Sequence, residues 1–411
     1  MYTHQLLRIP FNNKEILLYA PTLGKVWKIP TLKDIGINTV MSDKSVIQTK
    51  PHVDLTFLIS FNCTLACIYC YESHSIGLGS LSIDKAKSIA LPLLEKHRND
   101  TDRFVVNFFG GEPTLFPKFL QDISAWIRTW GLKNSKRTAT SITTNGLLPP
   151  RKIPLLWQIA DRVKVSFDGL RKVQDMHRPT IKGKSSYDRI LHVIDQLAND
   201  YPKRLTLRLT VTAFSVPYLE ETAEFLCHRY PGIPQQYEPA MDSCFAVQGV
   251  ADFSMQSFVS QLVRAYKIGL LHNTPIGTSF ARISRFNSDI NRFCGVSSMK
   301  YTILPDGNIA SCNRVHTSTV RSTPFYLGNV KDVINGKRPK FTLPIVCNDC
   351  YARFACKGGC YALRHSLGIN KDDGFSFCDE IRRLLREILI LQTNRKEVKN
   401  CDSAESDIAT G

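Results

Sequence analysis

The stretch Leu58-Ile-Ser-Phe-Asn-Cys63-Thr-Leu-Ala-Cys67-Ile-Tyr-Cys70-Tyr-Glu72 decides how the rest of the chain is read. Three thiols fall within eight residues, spaced Cys-x3-Cys-x2-Cys, just after an apolar, strand-like run. Three thiolates supply three of the four iron ligands of a [4Fe–4S] cube and leave the fourth iron open, whereas an electron carrier normally uses four. An open iron points to a cluster that binds a small molecule and does chemistry on it.

Outward from this loop the pattern alternates between strand and helix. Strand signals lie at Leu55–Ser60, Phe104–Phe109, Ala139–Thr143, Val163–Phe167 and Leu205–Thr212. Helix signals lie at Ser82–Lys96, where Ser82 is a candidate N-cap, and at Lys118–Trp130, Ile153–Ala160, Tyr187–Asn199 and Tyr218–Arg229. This repeated strand–helix alternation predicts a parallel α/β layout. Such barrels carry their working loops at the strand C-termini, and the cysteine loop sits at such an end. Past residue 240 the alternation stops. The remainder reads as a bridging stretch (241–290) containing a helix at Phe253–Leu271, a cysteine-rich region (291–380), and a C-terminal segment (381–411). That segment begins with a basic amphipathic helix at Asp379–Gln392 and ends in a polar tail expected to be disordered. Residues 1–50 read as short strands, a small sheet or a docking edge ahead of the barrel at 51–240.

Composition narrows the class. The chain has 411 residues, 43% of them hydrophobic, so it can bury a large core. No apolar run is long enough to span a membrane, and the N-terminus lacks an export signal, so the expected location is cytoplasmic. Thirteen cysteines in such a chain imply metal or redox chemistry rather than disulfides. With 53 Lys+Arg against 36 Asp+Glu the net charge is +17, which favours an anionic partner. The basic residues are scattered in short clusters such as Lys182 to Lys184 and Arg382 to Arg386, which read equally well as solvated faces. A nucleic-acid partner is therefore not expected.

Further motifs follow the strands in order: Phe109-Gly110-Gly111-Glu112-Pro113, Thr143-Thr144-Asn145-Gly146, and Val165-Ser166-Phe167-Asp168-Gly169 with His177-Arg178 beyond. Each alone has a plain structural reading, for instance Asn-Gly as a hairpin turn. Ordered at successive strand ends behind the cysteine triad, they resemble the radical SAM enzymes. The resemblance implies that the open iron chelates S-adenosylmethionine (SAM), which is cleaved to a 5′-deoxyadenosyl radical. It also implies cofactor contacts: the Gly110, Gly111, Glu112 and Pro113 turn on the methionine amino group, Ser166 and Arg178 on its carboxylate, Asn145 and Asp168 near the ribose, and Tyr69 against adenine.

A second set reads Cys294-x17-Cys312, then Cys347-x2-Cys350-x5-Cys356-x3-Cys360-x17-Cys378, with Gly307 five positions before Cys312. A zinc site could use the Cys-x2-Cys spacing but needs only four ligands and leaves seven ordered cysteines unexplained. The run resembles the SPASM extension of radical SAM enzymes, which carries two auxiliary [4Fe–4S] clusters. By that resemblance Cys347, Cys350, Cys356 and Cys378 hold the distal cluster, and Cys294, Cys312 and Cys360 the nearer one. The nearer set is one cysteine short, so an open iron is expected there, filled by substrate, water or a side chain such as Asp289, with Cys244 as a remote alternative. Cys227 reads as core and Cys401 as a free thiol in the tail.

The expected architecture is thus α/β: a partial (β/α)6 TIM-like barrel followed by a cysteine-rich SPASM iron–sulfur domain. The expected function is oxidative modification, such as a thioether or C–C crosslink, of a ribosomally made precursor peptide, with an acidic leader and an electron donor such as flavodoxin or ferredoxin as partners. The alternative is formylglycine formation in a sulfatase. Sulfatase-maturing members usually have Asp after the cysteine matching Cys312, and here that residue is Asn313. RNA modification is supported only by charge. No catalytic side chain is named.

Overall fold

The computed structural model describes residues 7–10, 15–20, 25–30, 52–72, 79–240, 253–281, 293–313, 320–370 and 372–408. Three N-terminal strands, β1 (Leu7–Pro10), β2 (Glu15–Ala20) and β3 (Lys25–Pro30), form a small antiparallel sheet. The main sheet then begins. Its parallel strands are β4 (Val53–Leu58), β5 (Arg103–Phe109), β6 (Arg137–Thr144), β7 (Arg162–Ser166), β8 (Leu205–Val211) and β9 (Gln235–Pro239), laid side by side in chain order.

The connecting helices are α1 (Ile83–Lys96), α2 (Pro117–Lys133), α3 (Ile153–Ile159), α4 (Arg171–His177), α5 (Tyr187–Asp200), α6 (Leu219–Arg229) and α7 (Met255–Leu271). The expected Ser82 cap is present: its side chain accepts from Lys85 N at 3.3 Å. Strand β8 shows why the helices cover one face. Leu205, Leu207, Leu209 and Val211 are buried, while Thr206, Arg208 and Thr210 alternate onto the other, half-exposed face.

The layered sheet continues past residue 240. Helix α7 buries Phe258, Val259, Leu262 and Ala265 in the same core as Leu226 of α6. The short strand β10 (Ile276–Gly277) pairs in parallel with β9. On the opposite edge β11 (Lys300–Ile303) pairs in parallel with β4, Lys300 opposite Asp54, and β12 (Ile309–Ala310) and β13 (Tyr326–Gly328) follow antiparallel. The cysteine-rich region therefore joins a single ten-stranded sheet through its first strand.

Four helices complete the chain: α8 (Val330–Ile334), α9 (Arg353–Cys356), α10 (Tyr361–Ser366) and α11 (Cys378–Ile408). The polar tail expected to be disordered is corrected here, because α11 continues as helix to Ile408. Its first half supplies the apolar stripe Ile381, Leu384, Leu385, Ile388 and Leu389 to the core, and the helix propagates from that anchored part. Among the described residues no helix is long and apolar enough to cross a membrane.

Candidate functional site

The C-terminal ends of β4 to β8 converge on the cysteine loop. Two backbone sets hold that loop in place. On one side Gly111 N donates to Ser60 O and Glu112 N to Asn62 O, both at 2.8 Å. This close approach needs glycine. A Cβ at Gly111 would lie 2.2 Å from Asn62 O, and one at Gly110, where φ is +134°, would lie 2.4 Å from Ser60 O. On the other side the loop pairs with the segment after α4: Ala66 N donates to Pro179 O at 2.8 Å, Ile68 N to His177 O at 3.0 Å, and Ile181 N to Thr64 O at 3.2 Å.

The triad faces inward between these clamps. Burial pushes the Cys67 thiol up to about 12 and the Cys70 thiol up to about 11, and raises that of Cys63. Arg178 opposes the shift at Cys67, placing Nη1 3.8 Å from its sulfur. Such thiols give up their protons only when a cation compensates, which suits iron. All eleven described cysteines are free thiols. The donor set thus fits a cluster with three protein ligands.

Glu112 is 1% exposed, and both of its oxygens are engaged within the protein. Oε1 accepts from Thr114 N (3.0 Å) and Thr144 Oγ1 (2.8 Å), and Oε2 accepts from Asn145 N (2.7 Å). Burial raises its pKa while these bonds oppose the rise. This carboxylate ties the end of β5 to the end of β6. Pro113, also buried, starts the turn that follows. Asn145 turns its amide to the cysteine loop, donating to Thr64 Oγ1 at 3.0 Å and toward Cys63 Sγ at 3.4 Å. Ser166 ends β7, half-buried and in register with Arg208 of β8.

Asp168 is the hub of the other half. It accepts from Arg178 Nε and Nη2 (3.0 and 3.2 Å), Thr210 N (2.8 Å) and the Tyr69 hydroxyl (2.5 Å), and faces His177 Nδ1 at 3.1 Å. Burial alone would raise its pKa, but Arg178 and His177 outweigh that and hold it well below the usual carboxylate range. Tyr69 is therefore locked by its hydroxyl and packs edge-on against the His177 ring, with centroids 5.4 Å apart. Sequence reasoning quoted His177 beside Arg178 without giving it a role. Its signal was the His-Arg pair closing the turn after Asp168-Gly169. Glu72, also unassigned, is 6% exposed, with Oε1 lacking a partner, and burial pushes it up to about 8. Its signal was proximity to Cys70.

The later cysteines gather in two places. Cys347, Cys350, Cys356 and Cys378 line one cavity together with Arg364 and Arg382. Arg382 Nη1 lies 3.9 Å from Cys350 Sγ, and Arg364 Nη1 is buried with no hydrogen-bond partner. Four thiols beside Arg364, whose Nη2 meets only backbone carbonyls, suit an anionic cluster. Cys312 packs with Cys294 and Cys360 in a separate apolar cluster that also contains Phe61 and Tyr71 from the first loop. The Tyr71 hydroxyl donates to Asn313 O at 3.5 Å, so the nearer set adjoins the triad's own loop. Cys227 is buried as expected, whereas Cys244 and Asp289 lie outside the described residues.

Comparison with known proteins agrees with this geometry. Residues 57–226 match the model of the Radical SAM superfamily. Over 339 residues the chain is 23% identical to mycofactocin maturase MftC of Mycobacterium tuberculosis, covering 77% of this chain and 80% of that protein. The fold superposes on native anSMEcpe with bound AdoMet and a Cp18Cys peptide, with TM-score 0.66, 19% identity, and 84% of this chain and 99% of the other covered. It also superposes on Streptococcus suis SuiB bound to the precursor peptide SuiA, with TM-score 0.58, 16% identity, and 80% and 76% covered.

Proposed function

We propose that this chain, whose residues 57–226 match the Radical SAM superfamily, is a radical SAM enzyme that modifies a ribosomally made precursor peptide, leaving an oxidative change such as a thioether or C–C crosslink. Cys63, Cys67 and Cys70 would hold a [4Fe–4S] cluster, and the two later sets would hold auxiliary clusters. When bound, the first cluster together with SAM supplies a 5′-deoxyadenosyl radical able to take hydrogen from a peptide carbon.

The chain's own residues do the positioning. Gly110 and Gly111 bring backbone against the cysteine loop, where it can meet the methionine end of SAM. Ser166, at the end of β7, and Arg178 are candidates for its carboxylate on the resemblance of their motifs. Asp168 fixes the Arg178 guanidinium and the Tyr69 phenol, so that neither reorganises when ligand arrives. Asn145, bonded to the loop itself, is better suited to orient Thr64 and Cys63 than to reach a ribose. The cysteine region is joined to β4 as one sheet, which favours a peptide lying between the strand ends and the nearer auxiliary set.

The observation that carries this reading is the triad clamped between Gly111 and the His177–Ile181 segment, beside Arg178. The names of MftC and of the SuiB–SuiA complex favour a peptide substrate. Formylglycine formation is the second reading, weakened by Asn313. The test is anaerobic. The cluster-reconstituted chain is reduced with SAM, and 5′-deoxyadenosine is measured by chromatography. Product well above a Cys63→Ala control is expected, and its absence removes the enzyme reading. Candidate precursor peptides are then screened by mass for loss of two hydrogens per crosslink.

A further inference from the structure

A group of metal-binding side chains lies away from the cysteine sets. Helix α6 carries Glu224 and His228, four residues apart and so on one face. His272 follows the last residue of α7. One donor atom from each of these three side chains lies within 4.8 Å of the others. The His228 and His272 rings meet edge to face, with centroids 4.5 Å apart. His228 Nδ1 stands 3.7 Å from Glu224 Oε2. The same Nδ1 donates to Glu224 O at 2.9 Å, so in the neutral ring Nε2 keeps the lone pair that a metal needs.

Backbone bonds fix the place. Helix α7 stops at Asn273, whose φ of +51° is left-handed, and Thr274 N closes on Gly269 O at 2.8 Å. Gly232 N, just past α6, donates to Thr274 Oγ1 at 2.9 Å, and Gln235 N donates to Pro275 O at 2.8 Å. The two helix ends are thereby tied side by side. They lie where β9 and β10 begin, at the end of the sheet opposite the cysteine loop. Arg383, on the first turns of the helix that Cys378 opens, bonds Gln256 O at 2.9 Å. Gln256 stands at the other end of α7, roughly 24 Å from His272 along the helix.

The chain carries +17, so a cation here needs local compensation. Among the described residues the Glu224 carboxylate pairs with no Lys or Arg, and the neighbouring Arg229 is turned to Asp195 at 2.8 Å. The carbonyl ends of two helices add partial negative charge. We propose that Glu224, His228 and His272 bind one divalent ion of the zinc class, which clips the end of α6 to the end of α7. Two imidazoles and a carboxylate are a donor set for zinc rather than for magnesium or calcium. Donors around a tetrahedral zinc stand about 3.3 Å apart. Glu224 and His228 are exposed side chains, free to rotate inward by that difference. Water fills the fourth position. The site stands independently of the radical SAM reading.

The test uses the untagged full chain with its iron–sulfur clusters reconstituted, dialysed anaerobically against Zn²⁺. Wild type should bind one zinc per chain that His228→Ala and His272→Ala bind at least about 10-fold more weakly, with iron content equal in all three. Glu224→Gln, which keeps the size of the side chain, should weaken zinc as well. Zinc-edge X-ray absorption should show a nitrogen and oxygen shell at about 2.0–2.1 Å. Zinc should also slow hydrogen exchange at the ends of α6 and α7 in wild type and not in the variants. Equal zinc uptake by wild type and all three variants overturns the proposal, and so does a shell at about 2.3 Å, the length of a zinc–thiolate bond. Bound zinc with unchanged exchange at both helix ends overturns the clip. Missing iron would count against the iron–sulfur reading separately.

Discussion

The Arg178 guanidinium holds Asp168 through two donors, Nε at 3.0 Å and Nη2 at 3.2 Å, with both side chains almost wholly buried. A charge pair out of water persists only when its remaining valences are also met. Here Tyr69, His177, Thr210 N and the Cys67 sulfur meet them. The pair therefore connects the cysteine loop to the ends of β7 and β8.

Asp168→Asn leaves a buried guanidinium without its counter-charge. The expected loss is about 3–5 kcal/mol of stability, read from urea unfolding. Arg178→Gln should cost a similar amount, and the double variant clearly less than the two losses added, since the partners act as a unit. Additive losses would show that the two residues are independent.

Gly111→Ala places a methyl group 2.2 Å from Asn62 O and 2.4 Å from Phe61 O, so the loop must move away from β5. Iron analysis should show the loss of about one cluster's worth of iron per chain, as in Cys63→Ala, with the distal cysteine set still loaded. Full loading with wild-type absorption would mean that the clamp does not position the triad.

Glu112→Gln keeps one acceptor but turns an amide NH2 toward Asn145 N, so two donors meet where a bond of 2.7 Å stood. The expected cost is about 1–3 kcal/mol. Hydrogen exchange at the Asn145 amide should accelerate in the variant. An amide that stays protected would show that Glu112 is not the tie between β5 and β6.

Glu72 gives a pH dependence whose sign can be worked out. Its carboxyl has an ordinary value of 4.5 and stands at about 8 in the folded protein, because burial disfavours the charge. Between those values the folded state binds more protons than the unfolded state, so stability falls as pH rises through the window. The loss above pH 8 is on the order of 4–5 kcal/mol. In the metal-free protein, Glu72→Gln should flatten the melting temperature between pH 5 and 8 while wild type declines. Parallel curves would rule this carboxyl out as the cause.

Much of the barrel could be read from local pattern. The strands β4 to β8 alternate or run apolar, and α1 begins at the Ser82 cap, so these elements fall close to where the pattern puts them. Strand β9 is different. Its sequence Gln-Gln-Tyr-Glu-Pro has no apolar alternation, and it lies buried between β8 and β10, where Gln235 bonds the Tyr237 hydroxyl and approaches the Cys227 sulfur. The tail differs from expectation because the second half of α11 is mostly polar, and helix there depends on the anchored first half.

The spacing of Cys63, Cys67 and Cys70 by itself grouped three candidate iron ligands, because thiols that share one loop are close in space whatever the rest of the chain does. The same holds for the Cys347-x2-Cys350-x5-Cys356 run. Only the tertiary structure decided how the other residues divide the work. Tyr69 meets Asp168 across 99 positions of chain, and Tyr71 meets Asn313 across 242. Those contacts turn a cofactor-contact motif into a locked Tyr69–Asp168–Arg178 unit and set the nearer auxiliary cysteines against the first loop. They follow from the pairing of β11 with β4 and the close approach of the strand ends, which no local pattern encodes.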